Sequence, residues 1–464
     1  KKLALWSVFV ADRQFWLPLQ ASASLQSAHG SRFACSQGKT MVFQATPRRR
    51  FLKTAAAASA SVVAAPYIIT SKALGDATTP AASDRIVMAG IGLGNQGSGD
   101  QRQFLGHPEV QYVAVCDVRR KWLEEARARV NERYGNSDCG VFGDFRDLLA
   151  RDDIDAVHIA TPDHWHSLMA IAACRSGKDI YLQKPETLTL AEGPLMLAAA
   201  RGYGRVVSGG SQRVLEDYRS IVDPSWAGEL GRITSIDLDP GPSSMGCYLP
   251  AEATPPDIDW DLWLGPAPWE PYNPDRCDGN FGTGGNSWRS YVDYSGGHLT
   301  DWGAHNFGGA LFAAGLLDQQ PNEVVWHPAT DGGLSAYATL VYPDGVELHC
   351  NRPAALRPRA NTHSVSHERG IQLHGDGQAV AGRAVPVYRG SRGIHGDFIE
   401  SVKTRERPFR DLEPAVNTMA AAHLLGIARR LQRSLRWDRA LHQFVADPQA
   451  NRLLDRARRE PWVL

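Results

Sequence analysis

Apolar and polar positions follow two different rhythms along this chain, and the change between them falls near residue 210. In the first half, short apolar runs are separated by stretches whose apolar residues recur three and four apart. Residues 85–91 form one such run, and a second begins at Gln111 and ends on Asp117. Over residues 119–134, Leu123, Ala126 and Val130 keep helical spacing until Gly135 stops it. The pattern then predicts a short helix at 145–149, a strand at 156–160 and a helix from His166 closing at Gly177. A strand at 180–182, a helix from Leu190 and a strand at 206–208 complete the series. Strands alternating with helices predict a parallel sheet covered on both faces, here assigned to residues 84–210.

Beyond residue 211 the rhythm changes. Residues 335–342 and 346–350 flank Pro343-Asp344-Gly345 and predict a hairpin, and residues 371–374 run into a further turn at Gly375-Asp376-Gly377. After residue 393 the spacing is helical again. Residues 412–435 carry Val416, Met419, Ala420, His423, Leu424 and Ile427 on one stripe, a face for core packing. Residues 211–464 therefore predict a second domain.

The turn after the first run carries Gly92, Gly94 and Gly97 at G-x-G-x-x-G spacing, with Asn95 and Gln96 between them. One glycine turns the chain, one lets backbone N–H groups reach a pyrophosphate, and one brings helix close to strand. The phosphates would sit at the helix N-terminus. Asp117 lies roughly twenty residues further on, where a carboxylate meets the adenosine ribose. That combination points to a dinucleotide site. Asp117 favours NAD because a carboxylate repels a 2′-phosphate, while Arg119 and Arg120 leave NADP open. Two more loops follow strands: Thr161-Pro162-Asp163-His164-Trp165-His166 and Gln183-Lys184-Pro185. Ligands of such sheets bind outside the carboxyl ends of the strands. Thr161, Pro162, His166 and Lys184 are thus expected against the cofactor, with His164 and His166 either touching substrate or capping the next helix.

Charge and cysteine content narrow the partners. Fifty basic residues balance fifty acidic ones, which argues against a nucleic-acid surface or a polyanionic partner. Seven cysteines are scattered without a C-x-x-C pair, so they read as mostly reduced and buried. His298, His305 and either His164 or His166 lack H-x-x-x-H or H-E-x-x-H spacing, and no metal is expected. The chain begins at Lys1, and Met41 opens what reads as an export signal, so residues 1–40 are expected to be a non-native, disordered extension. Arg48-Arg49-Arg50-Phe51-Leu52-Lys53 and the small-residue apolar stretch 54–69 resemble a twin-arginine signal. A run of about sixteen residues is short for a membrane span, although an uncleaved signal would act as an anchor. Residues 41–83 are therefore signal and linker, the expected location is periplasmic, and the twin-arginine machinery is an expected partner. That route moves folded proteins, so a tightly held nucleotide would travel inside and return to its starting redox state in each turnover.

With these motifs in place, the chain resembles the Gfo/Idh/MocA family, which includes glucose-fructose oxidoreductase and inositol dehydrogenase, from about residue 84 to the C-terminus. The resemblance is carried by the glycine loop 92–97, Asp117, the T-P-D-H-W-H loop, Gln183-Lys184-Pro185 and Asp301-Trp302-Gly303-Ala304-His305. The phrase Trp260-Asp261-Leu262-Trp263-Leu264-Gly265-Pro266 and the tail Pro461-Trp462 are similar to its exported bacterial branch. The resemblance implies an N-terminal Rossmann doubly wound parallel sheet and a C-terminal domain built on a large, open, mostly antiparallel sheet. It also implies a homodimer or homotetramer formed through that sheet. Gln183 departs from the family's usual glutamate, and Asn306 stands where some members have an acid.

Gly296 to Asp301 reads as a loop ending at a helix, with Thr300 or Asp301 as its cap. Asp301 and His305 are four apart and share a helix face. The family pattern puts Lys184, Asp301 and His305 around the reacting hydroxyl. Oxidising a secondary alcohol needs a base near neutral pKa beside a fixed positive charge. His305 suits the base, since imidazole titrates near 6.5. Lys184 would stabilise alkoxide charge and Asp301 would orient His305. His164, Arg213, Trp288, Tyr291 and His305 are candidate substrate contacts, and Tyr248 and Arg289 are further cleft residues. Three readings follow: an NAD(P)-dependent oxidoreductase of a sugar, sugar derivative or cyclitol; a redox-neutral glycosidase or lyase using transient oxidation; and a non-catalytic, nucleotide-containing sugar-binding protein.

Overall fold

Six strands build the first sheet of the computed structural model, which describes residues 80–211, 213–279, 287–359 and 361–464. They are β1 (Ile86–Ile91), β2 (Val110–Cys116), β3 (Gly140–Phe142), β4 (Ala156–Ile159), β5 (Asp179–Leu182) and β6 (Val207–Gly209). Their order is β3-β2-β1-β4-β5-β6 and every pair is parallel. Helices Asn95–Leu105, Arg120–Tyr134, Phe145–Leu149, Asp163–Arg175 and Glu192–Gly202 connect them. The order reverses between β1 and β4, which opens a crevice at their carboxyl ends. The export signal and the extension 1–40 lie outside the described residues. Among the described residues, no helix is long and apolar enough to cross a membrane.

Two details depart from expectation. The short edge strand β3 was not anticipated, because a three-residue, partly exposed run carries no periodicity. The helix expected from His166 starts at Asp163, immediately after Pro162, so three residues assigned to a loop form its first turn. The fixed φ of Pro162 leads the chain into that turn.

The second sheet has eight strands: β7 (Ile233–Leu238), β8 (Glu323–His327), β9 (Tyr337–Val341), β10 (Glu347–Cys350), β11 (Ser364–His367), β12 (Ile371–Gly375), β13 (Leu435–Asp438) and β14 (Gln443–Phe444). Their order is β11-β12-β7-β10-β9-β8-β13-β14, antiparallel except for β7 against β10. Alternate residues Ile236, Leu238, Leu340, Leu348 and Leu373 point into one core, which helices Gly303–Ala314 and Leu412–Leu431 complete. The expected hairpin is β9–β10, turning on Gly345 at φ +83°. The helix expected to reach residue 435 stops at Leu431, with Gln432 left-handed, and Leu435 and Trp437 then alternate into the core as β13.

The C-terminal part of the chain does not stay with the second sheet. Helix Gly393–Thr404 places Ile394, Phe398 and Ile399 in the core beside Met88, Phe104 and Tyr181. Each such buried side chain contributes roughly 1.5–3 kcal/mol. Helix Leu412–Leu431 begins with Leu412 and Val416 in the other core of the parallel sheet and continues with Met419 to Ala428 in the second core. It fixes the two walls of the crevice relative to each other.

Candidate active site

A cavity of about 700 Å³ runs along the carboxyl ends of the parallel strands, from Asp117 to His305. At one end, the glycine loop has the shape a dinucleotide requires. Gly92 has φ +80°, and a Cβ there would lie 2.8 Å from the Ala160 carbonyl and Thr161 nitrogen. A Cβ on Gly97 would lie 1.9 Å from the Gly92 carbonyl oxygen, so helix and strand touch through the missing side chain. Gly94 is different: its nearest neighbour would be Trp122 Nε1 at 3.9 Å, which leaves room for a ligand. Gly94 caps helix Asn95–Leu105 without a side-chain hydrogen bond, so the first-turn N–H groups beside Asn95 and Gln96 face the cavity. Asp117 accepts from Leu93 N at 2.6 Å and Arg119 N at 2.8 Å. Desolvation pushes its carboxyl up to about 6 against those bonds. Each oxygen keeps a lone pair for a ribose hydroxyl. These residues fit NAD.

The adenosine end is closed from the second domain. Asp259 N donates to Val118 O at 2.9 Å and Arg120 N to Asp257 O at 2.8 Å. Arg119 pairs with Asp278 at 2.8 Å, and both line the cavity beside Asp117.

At the other end, Lys184, in the loop after β5, donates to Asp301 Oδ1 at 2.7 Å. Asp301 closes helix His298–Asp301, which Gly297 caps, so neither Thr300 nor Asp301 is the expected cap. Arg289 Nε lies 3.5 Å from the same oxygen. Desolvation would raise Asp301, but Lys184 and Arg289 hold it below the usual carboxylate range. The expected contact from Asp301 to His305 is replaced: Asp301 is committed to the two cations, and Ser211 Oγ hydrogen-bonds His305 Nδ1 at 2.9 Å. Trp302 packs edge-on to His305 with centroids 5.6 Å apart.

Lys184, Asp301, His305, Trp288, Arg289, Thr161 and Pro162 all line the cavity. His164 and His166 do not. His164 is boxed by Trp165, Trp263 and Tyr294, with Nε2 3.1 Å from the Trp263 carbonyl, and burial pushes it down to about 3. His166 sits between two carbonyls, Pro185 O at 2.7 Å and Thr161 O at 2.8 Å, and burial lowers it to about 4. It ties the loops after β4 and β5 together. Tyr291 is buried in the aromatic cluster of Trp260, Trp263 and Tyr294, and Tyr248 is 97% exposed. Arg213 opens helix Arg213–Glu216, and its side chain lies outside the described residues. Among the described residues, no three His, Cys, Asp or Glu are grouped to hold a metal ion.

Three contributors were not anticipated. Ser211 just past β6, Trp122 beside the glycine loop and Asp163 behind the Lys184–Asp301 pair all stand at strand ends or first helical turns. That position in the fold is the signal that could have found them.

The model described as the oxidoreductase family, NAD-binding Rossmann fold, of Gfo/Idh/MocA matches residues 85–211. The family's C-terminal alpha/beta domain matches residues 244–348 and 383–464. A glycosyl hydrolase family 109 protein of Shewanella baltica is 33% identical over 159 residues, 31% of this chain and 35% of that protein. An alpha-N-acetylgalactosaminidase of Shewanella oneidensis is 31% identical over the same length, again 35% of that protein. The match thus spans about a third of those relatives' length. The WlbA dehydrogenase of Bordetella pertussis, crystallised with NADH and UDP-GlcNAcA, is similar at TM-score 0.51 and 16% identity, over 76% of this chain and 99% of that one. At that identity the likeness is one of fold. With both halves matched and the glycine loop built for a dinucleotide, the chain belongs to the Gfo/Idh/MocA family of NAD-binding oxidoreductases.

Proposed function

We propose that this protein oxidises and reduces a secondary alcohol of a sugar, sugar derivative or cyclitol with a captive nicotinamide nucleotide. One observation carries the reading. An ammonium fixed by Asp301 and an imidazole fixed by Ser211 line the same cavity as the glycine loop. The nicotinamide ring, when bound, takes up and gives back the two electrons of a carbinol C–H bond. His305 receives the hydroxyl proton, with Ser211 holding its Nδ1 at 2.9 Å and so orienting the ring. Lys184 faces the oxygen as negative charge develops and Asp301 keeps its ammonium in place. Trp288 offers an apolar face for the sugar ring. The ties from Val118, Arg119 and Arg120 to residues 257–278 support retention of the nucleotide between turnovers.

A second reading is favoured by the named glycosidase relatives, 33% and 31% identical over 159 residues. In it the alcohol is oxidised transiently, the neighbouring C–H becomes acidic, a substituent is eliminated, and reduction restores the alcohol. The same three residues serve. Export by the twin-arginine route, which suits a captive nucleotide, and assembly through the second sheet belong to this proposal. Incubating purified protein with free sugars and with glycosides separates the readings. Stoichiometric reduction of bound nucleotide indicates the first, and bond cleavage without net reduction the second. If neither occurs and no nucleotide is retained, the proposal fails.

A further inference from the structure

The polar end of the cavity holds more positive charge than a neutral sugar needs. Lys184 takes up Asp301 Oδ1 in a 2.7 Å hydrogen bond. Arg289 reaches that same oxygen only through Nε, at 3.5 Å, which is too long for a good N–H to oxygen bond. Among the described residues its guanidinium makes no closer polar contact. The guanidinium lies over the Trp288 ring, 4.2 Å from the centroid, which steadies it beside the cavity. Arg289, Trp288, Lys184, Asp301 and His305 share the cavity wall.

The nearby acid does not offset the surplus. Asp163 is buried, and neither carboxyl oxygen has a hydrogen-bond partner among the described residues, although the Ser295 hydroxyl stands close. Desolvation first, then the charge of Asp301, pushes it up to about 8. Burial thus favours its neutral, protonated form. Two cations therefore face one carboxylate in a site largely shielded from water, and a buried charge without a partner is costly.

We propose that Arg289 is the receptor for a carboxylate on the substrate, so that the sugar handled at Lys184, Asp301 and His305 is a uronic acid or a glycoside of one. This rests on the reading above that a sugar occupies this end of the cavity. A carboxylate matches the planar fork of guanidinium with two parallel hydrogen bonds. Its single negative charge balances the surplus of one, whereas a phosphate monoester, at about −1.5 to −2, overshoots it.

The test uses matched pairs of methyl glycosides, glucuronoside against glucoside and galacturonoside against galactoside, with glucose 6-sulfate as the tetrahedral monoanion. Binding to the purified full-length protein is read by tryptophan fluorescence, since Trp288 lies under the guanidinium, and turnover is scored in the same samples. The expected result is at least tenfold tighter binding of one uronoside than of its neutral partner. Arg289→Gln abolishes that preference and Arg289→Lys retains part of it. Equal binding within both pairs overturns the inference, as does tighter binding of the sulfate or a preference that survives in Arg289→Gln. The wild-type comparison stands by itself if a variant does not fold. A uronoside preference without turnover leaves the carboxylate receptor standing and sinks the oxidoreductase reading. Turnover of neutral sugars without the preference does the reverse, and failure of every sugar to bind sinks both.

Discussion

Lys184 and Asp301 meet at 2.7 Å although 117 residues separate them, one from the loop after β5 and the other from the short helix His298–Asp301 beside the second sheet. Their side chains are only 14% and 7% exposed, so the pair is worth more than a surface salt bridge. Removing one partner strands the other. Lys184→Met should lower kcat by roughly 10²–10³, the usual cost of one oxyanion donor. Nucleotide should still co-purify, because the glycine loop is untouched. Rapid-mixing kinetics on nucleotide-loaded protein check this, and a rate within twofold of wild type would remove Lys184 from the chemistry.

His305 should be indispensable and Ser211 auxiliary. His305→Ala abolishes turnover while the nucleotide remains bound. Ser211→Ala removes a buried hydrogen bond worth about 1 kcal/mol, so kcat should fall by roughly fivefold to tenfold with KM little changed. Because Ser211 acts on the ring's proton placement, the pH profile of kcat should also shift, and Ser211→Thr should restore it. A lower melting temperature with an unmoved profile would reduce Ser211 to a packing role.

Gly97→Ala tests the glycine loop without changing any charge. The added Cβ meets a backbone carbonyl at 1.9 Å, which no side-chain rotation relieves. Helix Asn95–Leu105 must move off β1, at a cost of roughly 1–3 kcal/mol. The first-turn N–H groups lose their aim, so nucleotide content measured after denaturing extraction should fall to near zero. Full retention would mean the phosphates bind elsewhere.

Gln183 stands where the family resemblance led us to expect glutamate, and the structure gives a local reason. Its Nε2 donates to Asp100 Oδ2 at 2.8 Å, and Asp100 also accepts from Gln96 and meets His395 at 3.1 Å. Both Gln183 and Asp100 are buried. Gln183→Glu sets two carboxyls against each other and should destabilise the fold by roughly 1–3 kcal/mol at pH 7. The loss should shrink as acid lets the pair share a proton. Urea melts at pH 5 and pH 7 decide it, and an equal deficit at both would assign the effect to packing alone.

The fold was largely legible because its strongest signals are local. Apolar runs, helical spacing and the 92–97 glycine pattern need no knowledge of the rest of the chain. The errors share one cause, which is a partner distant in sequence. Leu435 continues the helical stripe four residues after Leu431, so β13 read as helix until pairing with β8 decided otherwise. His164 and His166 looked available because nothing local shows that one ring reaches the Trp263 carbonyl, 99 residues away, and the other lies between Thr161 and Pro185. Likewise Asp301 and His305 were paired by their spacing, while their hydrogen-bonding partners, Lys184 and Ser211, come from the segments that follow β5 and β6, 117 and 94 residues away.

Asp163 gives a prediction whose sign can be worked out. Its carboxyl titrates near 8 in the folded protein, against about 3.9 for an unfolded aspartate. Between those values the folded state holds a proton that the unfolded state has released, so stability falls as pH rises. The contribution is fully present below pH 4 and lost as pH climbs through 8. Asparagine has nearly the same shape and no proton to lose. Asp163→Asn should therefore flatten the stability profile across that window and be the more stable protein at pH 8.5, by an amount on the order of a few kcal/mol. The variant also keeps Asp301 the sole negative charge beside Lys184 and Arg289 through neutral and alkaline pH, so activity should decline less on the alkaline side than in wild type. Chemical denaturation from pH 4.5 to 8.5 checks the stability claim. Parallel curves for the two proteins would mean that Asp163 is already ionised at neutral pH and that water or a cation reaches it.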